Sequence, residues 1–232
     1  MKAITEFVRT SIGMKVVMAI TGLILFLFVI GHMIGNLKIF SGINPATGEY
    51  KIDEYAVFLR EMGSPALGHG QALWIFRIVL LIALIAHVVC AWVLTRRSHS
   101  ARSIQYGRYA YDSSTYSART MRWGGVIILC YLVYHLLHLT FGSVHSEIVE
   151  HGRVYHNLIM GFQVWYISLA YIVANLVLGL HLSHGLWSLC QTLGLGNPEA
   201  SSLVRCGARG VSLVVVLGYI SVPLSIMFGL LS

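Results

Sequence analysis

Five runs of this chain carry no charge and are long enough to cross a bilayer: about residues 16–37, 78–95, 123–144, a long one within 154–198, and 210–232. A membrane-spanning helix needs roughly 18–20 apolar residues, and each run meets that length. Hydrocarbon offers the backbone no hydrogen-bond partner, so a spanning segment must close its own bonds as a helix or belong to a closed barrel. The runs lack the apolar–polar alternation of barrel strands, which leaves helices. Composition agrees: 56% of residues are hydrophobic and only 11% charged, against about 25% charged in soluble domains. The expected fold is an all-α integral membrane protein, a bundle of five transmembrane helices forming a single domain over residues 1–232. Between the first two spans, "SGINPATGEY" reads as a turn-rich loop and "IDEYAVFLREMG" as a short amphipathic piece.

A net charge of +7 would suggest nucleic acid in a soluble protein, but here its distribution assigns it to topology. Lys2, Arg9 and Lys15 precede the first span. Arg96, Arg97, Arg102, Arg108, Arg119 and Arg122 lie between the second and third, and Arg205 and Arg209 between the fourth and fifth. The alternate loops hold Glu49, Asp53, Glu54, Glu61, Glu147 and Glu150. Basic loops stay in the cytoplasm, so the N-terminus is expected inside and the C-terminus outside. The first apolar run is too long for a cleaved signal peptide, and no A-x-A site follows it.

Cys90, Cys130, Cys190 and Cys206 are scattered with no C-x-x-C, which argues against disulfides or an iron–sulfur cluster and for buried small apolar residues. The chain has neither a G-x-G-x-x-G nor a Walker sequence, and no repeat of fixed period, so no known nucleotide loop is present.

Six of the eleven histidines fall inside spans: His32, His87, His135, His138, His181 and His184. Ionisable residues in a bilayer are rare and mark functional sites. Helical rise gives their depths, at about 1.5 Å per residue. His87 lies roughly 13 Å from the inner edge, His181 about 15 Å and His184 about 10 Å. His135 and His138 lie about 20 and 24 Å from that edge, and His32 is roughly 9 Å from the outer one. The histidines thus sort into an inner level on the second and fourth spans and an outer level on the first and third. Facing imidazoles at one depth, twice over, suit two b-type haems with bis-histidine axial ligation. His181 matches His87 better than His184 does, whereas depth does not separate His135 from His138. Gly31, Gly35, Gly179 and Gly185 flank these histidines, and serve either haem clearance or helix–helix packing. A zinc or copper site built on "HLLH" or "HLSH" would need further ligands, and a proton-coupled transporter would show intramembrane carboxylates, which the spans lack.

"FVIGHMIGNL", "RIVLLIALIAHVV", "GVIILCYLVYHLLH" and "GLHLSHGLWSLCQTLG" together resemble the five-helix, di-haem cytochrome b membrane-anchor subunit of succinate dehydrogenase and fumarate reductase, complex II of respiration and the tricarboxylic acid cycle. The similarity covers nearly the whole chain, and H-x-x-x-G-L-W-S is its most specific part. It implies His181, four residues before Gly185, and His135, ten after Gly125, as ligands. The expected pairs are then His87 with His181 for the inner haem and His32 with His135 for the outer. The extra His138 and His184 lie one turn along the same faces, open to a haem propionate or a neighbouring helix.

The resemblance also implies partners: a flavoprotein that oxidises succinate and an iron–sulfur protein, both docked on the cytoplasmic face of a bacterial inner (plasma) membrane. This chain would exchange electrons with quinone, in this type menaquinone, next to the outer haem. Other readings are the anchor of a hydrogenase or formate dehydrogenase, and a non-haem transporter. Quinone chemistry moves protons, so a titratable group belongs near the site. Glu54 and Glu61 are the candidates, seven residues apart and about 10 Å apart on one face if the segment is helical. Arg77, bordering the second span, either snorkels to the interface or pairs with an outer propionate.

Overall fold

The structure, a computed structural model, describes residues 2–101, 116–195 and 201–231, with the side chains of 2–5 and 116–119 excepted. Among them are eight α-helices: α1 (Lys2–Arg9), α2 (Ser11–Asn36), α3 (Lys51–Glu61), α4 (Gln71–Ser100), α5 (Tyr116–His135), α6 (Val154–Gln163), α7 (Trp165–Thr192) and α8 (Ser201–Met227). Helix α2 tightens into a 3-10 turn at Leu37–Ser41, and α5 widens into a π-helical turn at Leu136–Thr140. No strand occurs among the described residues beyond one isolated bridge, Ile43 to Tyr50.

Among the described residues five helices are long and apolar enough to cross a membrane: Ser11–Ser41, Gln71–Ser100, Thr120–Thr140, Trp165–Thr192 and Ser201–Met227. The chain is therefore a helical, multi-pass membrane protein. Helix α4 has 30 residues, about 45 Å of rise, so its basic end projects beyond a hydrocarbon layer of roughly 30 Å. Trp74 and Trp92 are both exposed on it, about 27 Å apart along the axis, the spacing of two interfacial aromatic belts. The Arg77 guanidinium lies 5.0 Å from the centre of the Trp74 ring, so this arginine rests on an interfacial aromatic.

Three boundaries differ from the sequence reading. Helix α8 begins at Ser201, so Arg205 and Arg209 lie on the helix rather than in a loop. The fourth run divides at Val164, whose extended backbone separates α6 from α7; the Ser168 hydroxyl donates to the Phe162 carbonyl at 2.6 Å and fixes the break. The third run ends at Thr140 instead of 144. Arg102 and Arg108 lie outside the described residues, as does the Arg119 side chain. The cysteines also differ: Cys90 is buried, but Cys130 and Cys206 are exposed and Cys190 lies between. A helix facing lipid has no aqueous side, so a weakly polar thiol can face outward there.

Helix α7 is central, packing most extensively on α8 and also on α5 and α2, while α2 packs on α4. The α7–α8 contact depends on Gly179. A Cβ there would run into Val216, and the Ser212 hydroxyl donates to the Gly179 carbonyl across the same contact. Gly179 therefore serves helix packing, whereas Gly31, beside His32, has nothing within 4 Å of where a Cβ would stand.

One end of the bundle is closed by α3 and α6. Ile39, Ile52, Leu158, Ile159, Phe162, Ile167, Val222 and Ile226 form the core there. Asp53 accepts the Tyr155 N–H at 2.9 Å, and the Tyr50 and Tyr155 rings stack at 3.6 Å. The acceptor caps the start of α6, a role typically worth about 1 kcal/mol. Asp53→Ala is expected to lower the melting temperature in detergent by about 2–4 °C and to speed proteolysis at this end. Unchanged melting would show the cap to be idle.

Candidate functional site

The membrane histidines meet in two pairs, each from helices that scarcely touch. His32 on α2 faces His135 at the end of α5, with ring centroids 5.9 Å apart. His87 on α4 faces His181 on α7 at 6.4 Å. Among the described residues, α2 and α5, α4 and α7, and α4 and α5 make little or no direct backbone contact. The imidazoles therefore approach one another across gaps in the bundle. The first pair lies toward the α3–α6 end and the second toward the end carrying α1 and the arginines.

These separations suit a metal held between two rings. With metal–nitrogen bonds of about 2 Å and about 1 Å from each nitrogen to its ring centre, axial imidazoles stand roughly 6 Å apart. His87 Nδ1 lies 3.1 Å from the Met18 carbonyl and 3.4 Å from Thr21 Oγ1. A carbonyl can only accept, so His87 carries its proton on Nδ1 and presents the Nε2 lone pair. Such an outer partner orients a ligating histidine and fixes its tautomer. On the other side of that pair, His181 Nδ1 is buried. Among the described residues no three His, Cys, Asp or Glu converge as a metal-ion site; a porphyrin iron needs only two axial imidazoles.

The alternatives at each level separate by direction. His138 is fully buried, its Nδ1 3.0 Å from the Tyr171 hydroxyl and its ring 5.4 Å from that of His145. It packs against Gly161 on α6, while the ring that meets His32 belongs to His135. The π turn explains the divergence. Phe141 N–H bonds back five residues to the Leu136 carbonyl at 2.9 Å, and the widened turn rotates His138 off the face it would share with His135 on a regular helix. Tyr171 contacts both, standing 3.4 Å from His135 Nδ1. At the other level His184 turns to Trp187, at 5.8 Å. Neither Tyr171 nor the Met18 carbonyl is signalled by the sequence, since both act only through tertiary position.

Glu54 and Glu61 both lie on α3, and their surroundings differ sharply. Glu54 accepts from Asn44 Nδ2 with both carboxylate oxygens, at 2.9 and 3.0 Å, and from the Thr47 hydroxyl at 2.5 Å. The Thr47 and Asn44 hydrogen bonds hold its carboxyl below the usual range, with a smaller push from Lys51. It thus stays ionised at neutral pH. Its support of the 43–50 turn is present above the unfolded pKa and is lost as pH falls through the depressed folded value. Glu61 is exposed at the end of α3, in a cleft with Phe58, Ser64 and His69. A solvent-exposed carboxylate beside an apolar ring and a histidine is placed to exchange protons; one held in three hydrogen bonds by Asn44 and Thr47 is not.

At the basic end, Arg97 donates to Ser11 Oγ at 3.2 Å and to the Arg9 carbonyl at 3.0 Å, and Arg122 stands 2.8 Å from His99 Nε2. No protein-family model, curated protein or solved structure matches the chain.

Proposed function

We propose that this chain is the membrane anchor and electron-transfer subunit of a succinate:quinone oxidoreductase and holds two haems b. The observation that carries the reading is the pair of imidazole contacts, His87–His181 and His32–His135, at 6.4 and 5.9 Å on opposite halves of the bundle. Bound haem would supply one-electron transfer at low-spin iron. The chain's own residues would hold the haems through His32, His87, His135 and His181, with the Met18 carbonyl orienting His87 and apolar helices surrounding the macrocycles.

The succinate side of the proposal rests on the resemblance of the four helix motifs to the di-haem anchors of complex II. In this reading the basic end is cytoplasmic under the positive-inside rule, the C-terminus is outside, and the membrane is a bacterial plasma membrane. A flavoprotein and an iron–sulfur protein dock against the arginine-bearing face. Quinone, in this type menaquinone, reacts at the opposite end, where Glu61 passes protons between the α3 cleft and the outside. Succinate is oxidised on the flavoprotein, and this chain contributes no residue to that step.

The test is purification of the complex from its native membrane. Acid acetone is expected to extract all of the haem, since the sequence has no C-x-x-C-H for covalent attachment. A flavoprotein and an iron–sulfur protein that reduce the haem with succinate are expected to co-purify. Haem reducible only by hydrogen or formate would assign the anchor to a different dehydrogenase.

A further inference from the structure

Near the basic end, α7 and α8 bring together hydrogen-bond donors that have no acceptor. Trp187 Nε1 is buried without a partner. The Arg205 guanidinium stands over the Trp187 ring, 4.8 Å from its centre, and the His184 ring lies 5.8 Å from the same indole. Arg205 is also within electrostatic range of His184. Among the described residues no carboxylate pairs with Arg205. Indole and guanidinium nitrogens can only donate, so the cluster calls for an acceptor.

Its position indicates which acceptor. His181, His184 and Trp187 follow one another at three-residue intervals along α7, and Trp187 lies about 9 Å beyond His181 toward the basic end. A rise of that length matches the reach of a porphyrin's carboxylate side chain from an iron held by His181. A carboxylate drawn between helices loses hydration and is retained only with charge-assisted donors around it. We propose that Arg205 and Trp187, with His184 beside them, bind a propionate of the inner haem. The inference rests on the di-haem reading above. A lipid phosphate offers the same anionic oxygens and could reach Arg205 from the open face it shares with Ser201, Ser202 and Arg209, but not the buried Trp187 N–H, so the Trp187 substitution separates the two sources.

The experiment is a spectroscopic redox titration of the whole complex carrying Arg205→Gln, Arg205→Lys or Trp187→Phe. Losing a partner leaves the propionate charge less neutralised, which favours ferric iron and lowers the midpoint potential. Arg205→Gln is expected to shift the reduced-to-oxidised ratio of the His87–His181 haem about tenfold toward oxidised, 59 mV for one electron. Trp187→Phe is expected to shift it less in the same direction, Arg205→Lys to restore most of the loss, and the other haem to stay put. Two haems with unchanged potentials in both Arg205→Gln and Trp187→Phe would overturn the propionate site. So would a shift that appears on removing anionic phospholipid from the unsubstituted complex and not on substitution. An unsubstituted complex without haem overturns the functional reading itself, a result distinct from either.

Discussion

His181→Ala is expected to abolish one of two low-spin haem signals, while His184→Ala leaves both. His181 faces His87 across a gap between α4 and α7, whereas His184 turns toward Trp187. The same contrast holds at the other level, where His135→Ala removes the second signal and His138→Gln retains it. His138 is enclosed by Tyr171, His145 and Gly161, so glutamine keeps volume and a polar tip where alanine would leave a cavity. His87→Ala and His32→Ala are expected to match their partners, each costing one haem and impairing assembly. Loss of a haem in His184→Ala with both retained in His181→Ala would reverse the assignment. Difference spectra at low temperature and electron paramagnetic resonance read all six variants.

Glu61→Gln is expected to reduce quinone turnover at least a hundredfold, the scale on which a positioned acid–base group acts. Both haem spectra and dye-coupled succinate oxidation are expected to persist. Glu54→Gln is expected to keep turnover and to loosen the 43–50 turn, because its carboxylate is already committed to Asn44 and Thr47. Normal turnover in Glu61→Gln together with a dead Glu54→Gln would exchange their roles. Normal turnover in both would move the search to the basic end, near Lys15 and Arg96.

The spans were legible because a bilayer tolerates so little: absence of charge alone located all five. Their ends were less so. A charge-free window stops at Arg209, yet α8 continues back to Ser201, since arginine at a helix end can reach the interface without ending the helix. The break at Val164 has no proline to announce it and depends on a serine–carbonyl bond. Depth along a helix is a linear count, which is why it set His87 level with His181. Direction around the helix depends on neighbours and on local winding. The π turn that carries His138 away from His32, and Tyr171 between the two candidates, were therefore beyond the sequence. Glu54 and Glu61 likewise share a helix and a residue type, and only the fold of the preceding turn distinguishes them.

The most direct test of the central claim is haem content of the purified chain, measured as pyridine haemochrome against protein by amino-acid analysis. Two haems b per chain are expected, both low-spin, with an alpha band on reduction. One haem per chain, or no alpha band in a folded and fully haem-supplied preparation, would contradict it.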